Sequence, residues 1–213
     1  MKITILMSIA VFITLGCSLR SQIENTVKIG EQEWMVKNLN VSKFRNGDII
    51  PEAKSREDWK KAGNENQPAW CYYDNDPVNE ANYGKLYNWY AVSDPRGITP
   101  EGWHVPSDDE WQILIDYLGG EKVAGGKMKE SVSKLWKHPN KGATNQFGLT
   151  VFGGGVRYIE GKFNDLDDDA YFWSSTEYDA THAWYRILGY SFSNVYKYYY
   201  DKRYGFSVRC IKD

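Results

Sequence analysis

Three short segments rich in tryptophan, glycine and cysteine constrain this 213-residue chain more than any other feature. They are Gly-Trp-His-Val-Pro-Ser-Asp-Asp-Glu-Trp at 102–111, Phe-Trp-Ser-Ser-Thr-Glu at 172–177 and Gly-Phe-Ser-Val-Arg-Cys-Ile-Lys-Asp at 205–213. Aromatic residues make up 15% of the chain, with nine Trp and sixteen Tyr. Large flat side chains fill cores and also form binding surfaces. The fold must therefore bury many of them, and it can display others.

The first seventeen residues have the pattern of a targeting segment. Lys2 supplies a positive charge, and residues 3–15 are almost entirely apolar. This apolar run is too short to cross a bilayer and has the length of a signal-peptide core. It ends at Gly16-Cys17, a small residue before a cysteine, as at the lipid-attachment site of a bacterial lipoprotein. We expect 1–17 to be a lipoprotein signal peptide with Cys17 lipidated; the alternative is a plain secretory signal.

The rest of the chain has the size of one domain. Residues 18–25 are a short polar tether, and residues 26–213 are long enough to form one full core. A lipid on Cys17 would make the membrane a partner, at the outer membrane or cell surface of a bacterium. The formal net charge of −2 gives no basic field that would attract nucleic acid, so no nucleic-acid partner is expected.

The clearest predicted helix begins after Pro106. Ser107 is a favourable N-cap, and Glu110 follows three residues later as in a capping box. Trp111 and Leu114 begin an apolar stripe at helical spacing, and Gly119-Gly120 ends the helix. Weaker signals predict three more helices, one starting at Ser55, one over 84–92 and one over 121–130.

Strands are predicted at both ends of the domain. A hairpin is expected over 27–36 around Gly30-Glu31, and further strands are expected at 149–152, 156–158, 171–174, 183–189, 194–199 and 205–211. Two main helices in the middle, with short antiparallel strands and long loops around them, predict an α+β domain.

Many motifs in one order resemble the Fibrobacter succinogenes major paralogous domain family of secreted or surface bacterial domains. They lie at 29–34, 38–40, 70–76, 83–89, 102–111, 172–177 and 205–213. The resemblance implies a C-type lectin-like fold, related to that of the formylglycine-generating enzymes. It implies little about chemistry, because fold kinship alone does not transfer function.

The sequence contains no convincing catalytic site. Its three histidines, His104, His138 and His182, are far apart, and no metalloprotease or serine-hydrolase motif occurs. We expect a non-catalytic protein in which His104 makes a structural hydrogen bond. An oxidoreductase of the formylglycine-generating type is a less favoured alternative, which would require a reactive cysteine pair or a metal centre.

Cysteines and carboxylates suggest two structural roles. An exported chain with only Cys71 and Cys210 left after Cys17 predicts one disulfide, with two buried thiols as the alternative. A carboxylate-rich loop offers oxygen ligands that suit Ca²⁺, although charge-rich loops are usually only solvated. Its candidate ligands are Asp165, Asp167, Asp168 and Asp169. Arg209 is expected to pair with a carboxylate of a helix.

The C-terminal tyrosines are the best candidate for a binding surface. The candidate residues are Tyr196, Tyr198, Tyr199, Tyr200 and Tyr204. On a strand, Tyr198 and Tyr200 share one face and Tyr199 takes the other, so one side cannot bury them all. Tyrosine mixed with Ser and Asn is typical of adaptable binding surfaces, whereas tyrosine is also favoured in ordinary strands. We expect recognition of a glycan or an extracellular protein, with a structural role in the cell envelope as the alternative.

Overall fold

The computed structural model describes residues 25–132 and 134–213. The predicted signal peptide, Cys17 and nearly all of the predicted tether lie outside the described residues. No helix in the described ranges is long and apolar enough to cross a membrane.

Strands dominate the fold. Eleven strands are found among the described residues: β1 Thr26–Ile29, β2 Gln32–Met35, β3 Trp70–Cys71, β4 Leu86–Tyr87, β5 Trp103–His104, β6 Gly154–Arg157, β7 Phe163–Leu166, β8 Asp169–Glu177, β9 His182–Gly189, β10 Tyr196–Asp201 and β11 Ile211–Lys212. They form a four-stranded sheet (β1-β2-β11-β5), a five-stranded sheet (β10-β9-β8-β6-β7) and a two-stranded sheet (β3-β4). Only the β6–β8 pair is parallel among these pairings.

The helices are short. They are α1 Arg56–Asn64, α2 Glu80–Tyr83, α3 Trp89–Val92, α4 Asp108–Tyr117 and α5 Glu121–Met128, with 3₁₀ turns at Tyr73–Asn75 and Pro77–Asn79. Helices α1, α4 and α5 have nine, ten and eight residues. Within residues 25–132 and 134–213, no pair of main helices organises the domain.

The predicted α+β class with two main helices is therefore wrong, and the C-type lectin-like relationship is not confirmed. The physical reason lies in β8 and β9, which together form the centre of the five-stranded sheet. Tyr171, Trp173 and Tyr185 on one face join one core cluster, whereas Phe172 and Leu188 on the other face join a second. Because both faces are buried, apolar residues run almost continuously along each strand and hide its period-two pattern.

Several local predictions are confirmed. The hairpin forms with Gly30 at a φ of 61°, a value that glycine adopts without strain. Ser107 and Glu110 form the capping box of α4, and Ser55 and Asp58 form one for α1. The predicted helix over 84–92 is confirmed only over Trp89–Val92, because its first part pairs as β4 with the distant β3. Such long-range pairing leaves no trace in local periodicity.

Candidate functional site: tyrosines on an edge strand

Strand β10 carries the candidate tyrosines at one edge of the five-stranded sheet. It pairs with β9 through its full length, and no described strand covers its other side. Four of its tyrosines expose between 39% and 52% of their surface: Tyr196, Tyr198, Tyr199 and Tyr200. The predicted alternation holds, because Tyr198 lies opposite Tyr185 and Tyr199 lies opposite Trp184. The two faces of this edge therefore carry two separate aromatic surfaces.

The first surface, which we call the inner row, consists of Tyr196, Tyr198, Tyr200 and Tyr204. Tyr196 and Tyr198 have ring centroids 6.0 Å apart, and Tyr200 stacks on half-buried Tyr204 at 4.2 Å. Buried Tyr185 lies beneath the row, 6.2 Å from Tyr198 and 5.7 Å from Tyr200. The inner row thus extends the aromatic core outward to the surface.

The second surface, which we call the outer cluster, consists of Tyr178, Trp184 and Tyr199. Tyr178 and Tyr199 stack with ring centroids 3.8 Å apart and planes only 5° apart. Trp184 meets both rings edge-on, at 5.0 Å from Tyr178 and 5.6 Å from Tyr199. His182 also approaches Tyr199 edge-on at 5.7 Å. These contacts restrain the rings, and the edge-on contacts are of a kind that is favourable in itself.

A carboxylate of helix α4 forms ion pairs with the two strands that carry Trp184 and Tyr199 of the outer cluster. Asp108 in its first turn accepts hydrogen bonds from Arg186 of β9 and Lys197 of β10, both at 2.6 Å. Lys197 also lies over the Trp184 ring at 4.2 Å. Burial alone would raise the pKa of Asp108, but the bonds from Arg186 and Lys197 outweigh burial and lower it. The ionised carboxylate therefore fixes β9 and β10 against the helix.

Sequence reasoning missed Trp184 as a member of this surface. The signal was present in the alternation over 182–189, where Trp184 lies between Ala183 and Tyr185. Without the register between β9 and β10, the sequence could not show that Trp184 lies opposite Tyr199.

The carboxylates predicted to bind Ca²⁺ have separate protein partners. Asp165 accepts a bond from the Tyr171 hydroxyl at 2.8 Å, and Asp167 accepts one from Tyr83 at 2.6 Å. Asp168 pairs with Lys137 at 2.6 Å. Among the described residues, no three His, Cys, Asp or Glu side chains form a group that could hold a metal ion. The geometry gives the calcium prediction no support.

Asp169 differs from the other carboxylates of this loop. Burial raises its pKa to about 6, and the negative charge of Asp165 adds to the effect. Both carboxylates lie within hydrogen-bond distance of the Tyr171 hydroxyl, at 2.8 Å for Asp165 and 3.3 Å for Asp169. Their role is to hold Tyr171 in the core beside Phe206, whose ring centroid is 5.1 Å away.

Comparison with known families decides the relationship that the motifs indicated. The sequence profile of the Fibrobacter succinogenes major domain matches residues 27–212. The chain belongs to this family. No curated protein and no solved structure shows a significant match to this chain. The Fibrobacter succinogenes major domain thus includes every strand of the three sheets except Thr26, the first residue of β1.

The predicted disulfide is wrong for this member of the family, because Cys71 and Cys210 are both free thiols. They lie in different core clusters: Cys210 packs with Tyr87 and Phe206, whereas Cys71 packs with Trp59. Burial raises the pKa of Cys71 to about 11 and that of Cys210 to about 12. A thiol with a raised pKa is a poor nucleophile at neutral pH, so neither cysteine has the properties of a reactive residue.

His104 makes the structural hydrogen bonds expected of it. Its Nδ1 lies 2.7 Å from Asp213, and its Nε2 lies 2.8 Å from Glu110 of the capping box. Burial alone would lower the pKa of His104, but hydrogen bonds with the two carboxylates outweigh burial and raise it. This histidine therefore joins Asp213 to the start of α4.

Proposed function

We propose that this protein is a non-catalytic recognition domain that binds a glycan or an extracellular protein through the tyrosines of β10. The observation that carries the proposal is the exposure of Tyr196, Tyr198, Tyr199 and Tyr200 on both faces of one edge strand. Exposed apolar surface concentrated at one place commonly marks an interaction site.

The chemistry of the two surfaces suits recognition. Tyrosine supplies a large, stiff contact area at a small cost in conformational entropy, and its hydroxyl adds hydrogen bonding. The outer cluster already holds Tyr178 and Tyr199 in a fixed stack. The inner row places exposed tyrosines at every second position of β10, Tyr196, Tyr198 and Tyr200, which suits an extended ligand such as an oligosaccharide. Because these rings are restrained before binding, little additional ordering would be needed.

The surroundings of the potentially reactive groups support a non-catalytic role. Cys71 is fully buried with a raised pKa, which disfavours a cysteine-dependent oxidoreductase. His104 is engaged by Glu110 and Asp213, and His182 lies within 3.1 Å of Asp179. We therefore propose binding rather than turnover.

We place the protein in the bacterial cell envelope, anchored at the outer membrane or cell surface through a lipid on Cys17. The support is the short apolar run ending at Gly16-Cys17, which lies outside the described residues. Metabolic labelling with a radioactive fatty acid tests the anchor. Wild-type protein should incorporate the label and the Cys17→Ser variant should not; a wild-type protein without label would overturn the anchor while leaving the binding proposal intact.

A binding screen tests recognition. The full chain, purified in a mild detergent, is probed with a panel of defined polysaccharides and with fractionated envelope proteins, with and without Ca²⁺. The variant Tyr198→Ala/Tyr199→Ala/Tyr200→Ala should lose about 30-fold or more in affinity, as expected when central aromatic contacts are removed. The control is Tyr117→Ala, because Tyr117 is equally exposed but lies on α4. Equal binding by both variants would exclude the tyrosines of β10 as the binding site.

A structural subunit of the envelope is the second candidate. The observation that favours it is the open edge of β10, since uncovered edge strands can pair with another strand. A fixed stoichiometric protein neighbour in the envelope, together with no affinity for any polysaccharide, would favour this alternative over glycan recognition.

A further inference from the structure

A cleft on another part of the molecule contains an unusual arginine. The cleft has a volume of about 670 Å³ and lies between the segment after β2, the segment around α2 and residues 150–152. Arg209 lines it, although its surface is only 1% exposed. Volumes of this size are typical of small-molecule sites.

Arg209 has no carboxylate partner among the described residues, contrary to the sequence prediction. Its Nε donates to Asn38 at 2.7 Å, and its Nη1 donates to the carbonyl oxygens of Met35 and Leu149, both at 2.9 Å. Its Nη2 donates to the carbonyl oxygen of Thr150 at 3.1 Å. These contacts account for four of the five N–H donors of a guanidinium group, and they provide no compensating negative charge.

The other buried arginines do not line the cleft, and Arg157 likewise has no carboxylate partner among the described residues. Arg186 has the carboxylate of Asp108 at 2.6 Å. Arg157 lies between the rings of Trp59 and Phe163, 4.7 Å from each centroid. Arg209 is instead next to an open cleft, where a ligand could supply the missing charge. A buried charge without a partner is costly, so an anion at this position would be favoured.

Two further charged residues, Lys37 and Glu80, line the cleft. Lys37 is exposed and lines the cleft, and Lys85 lies behind Asn40, 2.7 Å from its side-chain oxygen. Glu80 is the one carboxylate among the cleft-lining residues described, and it accepts a hydrogen bond from Asn40 at 2.6 Å. Together with Arg209, the charged residues that line the cleft are two cations and one carboxylate, which leaves a small positive balance.

Backbone strain is found at the same place. Thr150, whose carbonyl accepts from Arg209, has a φ of 54°. A β-branched residue rarely adopts this left-handed conformation, and such strain concentrates at ligand sites. The side chain of Asn145 holds Thr150 there by accepting its backbone N–H at 2.8 Å.

We infer that this cleft binds a small carboxylate-bearing polyol, such as a sugar acid. The ligand's carboxylate would pair with Arg209 and Lys37, and its hydroxyls would bond the amides of Asn40 and Asn82. Val36 and Phe152 provide apolar area for a ring face. This site is separate from the tyrosine surface and does not depend on the function proposed there.

Saturation-transfer NMR on the full chain tests the inference with D-glucuronate and D-glucose as probes. Glucuronate should bind and glucose should not, and added NaCl should weaken binding. Lys37→Gln should weaken glucuronate binding about two- to fivefold, the range of one partly solvated ion pair. The matched control is Lys43→Gln, which removes an exposed lysine outside the cleft.

Arg209→Lys retains the positive charge but loses the planar guanidinium fork. It should abolish glucuronate binding in samples that keep the native near-UV circular dichroism. The exposed Lys37 variant keeps the test decisive if Arg209→Lys misfolds. Equal signals from glucose and glucuronate, or equal affinities of the Lys37 and Lys43 variants, would overturn the inference. The triple-tyrosine variant should bind glucuronate like the wild type.

Discussion

Arg186 is fully buried and donates a hydrogen bond of 2.6 Å to Asp108 in the first turn of α4. This pair connects the helix to β9, the strand that is hydrogen-bonded to β10. Because Asp108 also binds Lys197 of β10 itself, one carboxylate aligns both strands that carry the outer cluster. The position of the tyrosine surface thus depends on an ion pair in the neighbouring core.

Asp108→Asn should destabilise the fold by about 3–5 kcal/mol, because it leaves the buried Arg186 charge without its partner. Chemical denaturation measures the change in the free energy of unfolding. Asp109→Asn is the matched control, since Asp109 is exposed in the same helical turn. It should cost about 0.3–1 kcal/mol through the helix dipole. Equal effects of the two substitutions would contradict the role of Asp108.

Because His104 is hydrogen-bonded to Glu110 and Asp213, the stability of the fold should depend on the protonation of this histidine. Its folded pKa is raised above 6.5, so the protonated ring stabilises the fold below pH 6.5 and this stabilisation is lost as pH rises through the folded pKa. The pKa of Glu110 is lowered despite burial, by bonds from Ser107 and His104, so its contribution is lost only as pH falls through that lowered value.

Wild-type protein should therefore lose stability above pH 6.5 relative to His104→Gln. The loss should stay below about 1 kcal/mol, because solvent screens this partly exposed pair. Unfolding free energies of both proteins across that range provide the measurement. Parallel curves would show that His104 does not contribute through its charge.

Gly126 of α5 lies close to another backbone segment. A Cβ added there would overlap the carbonyl group of Gly142. Helix propensity alone predicts that Gly126→Ala stabilises by nearly 1 kcal/mol, whereas overpacking predicts a loss of about 1–3 kcal/mol. We expect the loss, measured by thermal unfolding. Lys122→Ala, at an exposed position of the same helix, should be close to neutral.

Cys71 and Cys210 should both react as free thiols, but only after unfolding. Thiol titration of the Cys17→Ser variant, which leaves only these two cysteines, should give almost no reaction without reductant when folded, since both groups are buried and have raised pKa values. In denaturant both should react. If denatured protein that was never reduced showed neither thiol, a disulfide would exist after all.

Local chemistry made parts of this fold predictable. The capping box of Ser107 and Glu110 needs only residues three apart, and the alternation of Tyr198 and Tyr199 follows from strand geometry. These predictions were confirmed because the interactions that decide them lie within a few residues. The family was likewise recognisable from its motifs, and the match over 27–212 confirms it.

Long-range pairing made the rest unpredictable. Residues 84–92 have helical spacing, yet Leu86 pairs with Cys71 and only the second part becomes helical. Arg209 obtains its partners from backbone carbonyls at Met35 and Leu149, which carry no side-chain signal. The two cysteines were expected to pair from their count alone, although each packs in a different cluster.

Tyrosine footprinting of the ligand complex tests the recognition proposal most directly. The full chain is nitrated with tetranitromethane, with and without a saturating ligand from the screen, and each modified tyrosine is quantified by mass spectrometry. We predict that ligand protects Tyr198, Tyr199 and Tyr200 while Tyr117, exposed on α4, reacts equally in both samples. A bound ligand that leaves the three β10 tyrosines as reactive as before would contradict the account.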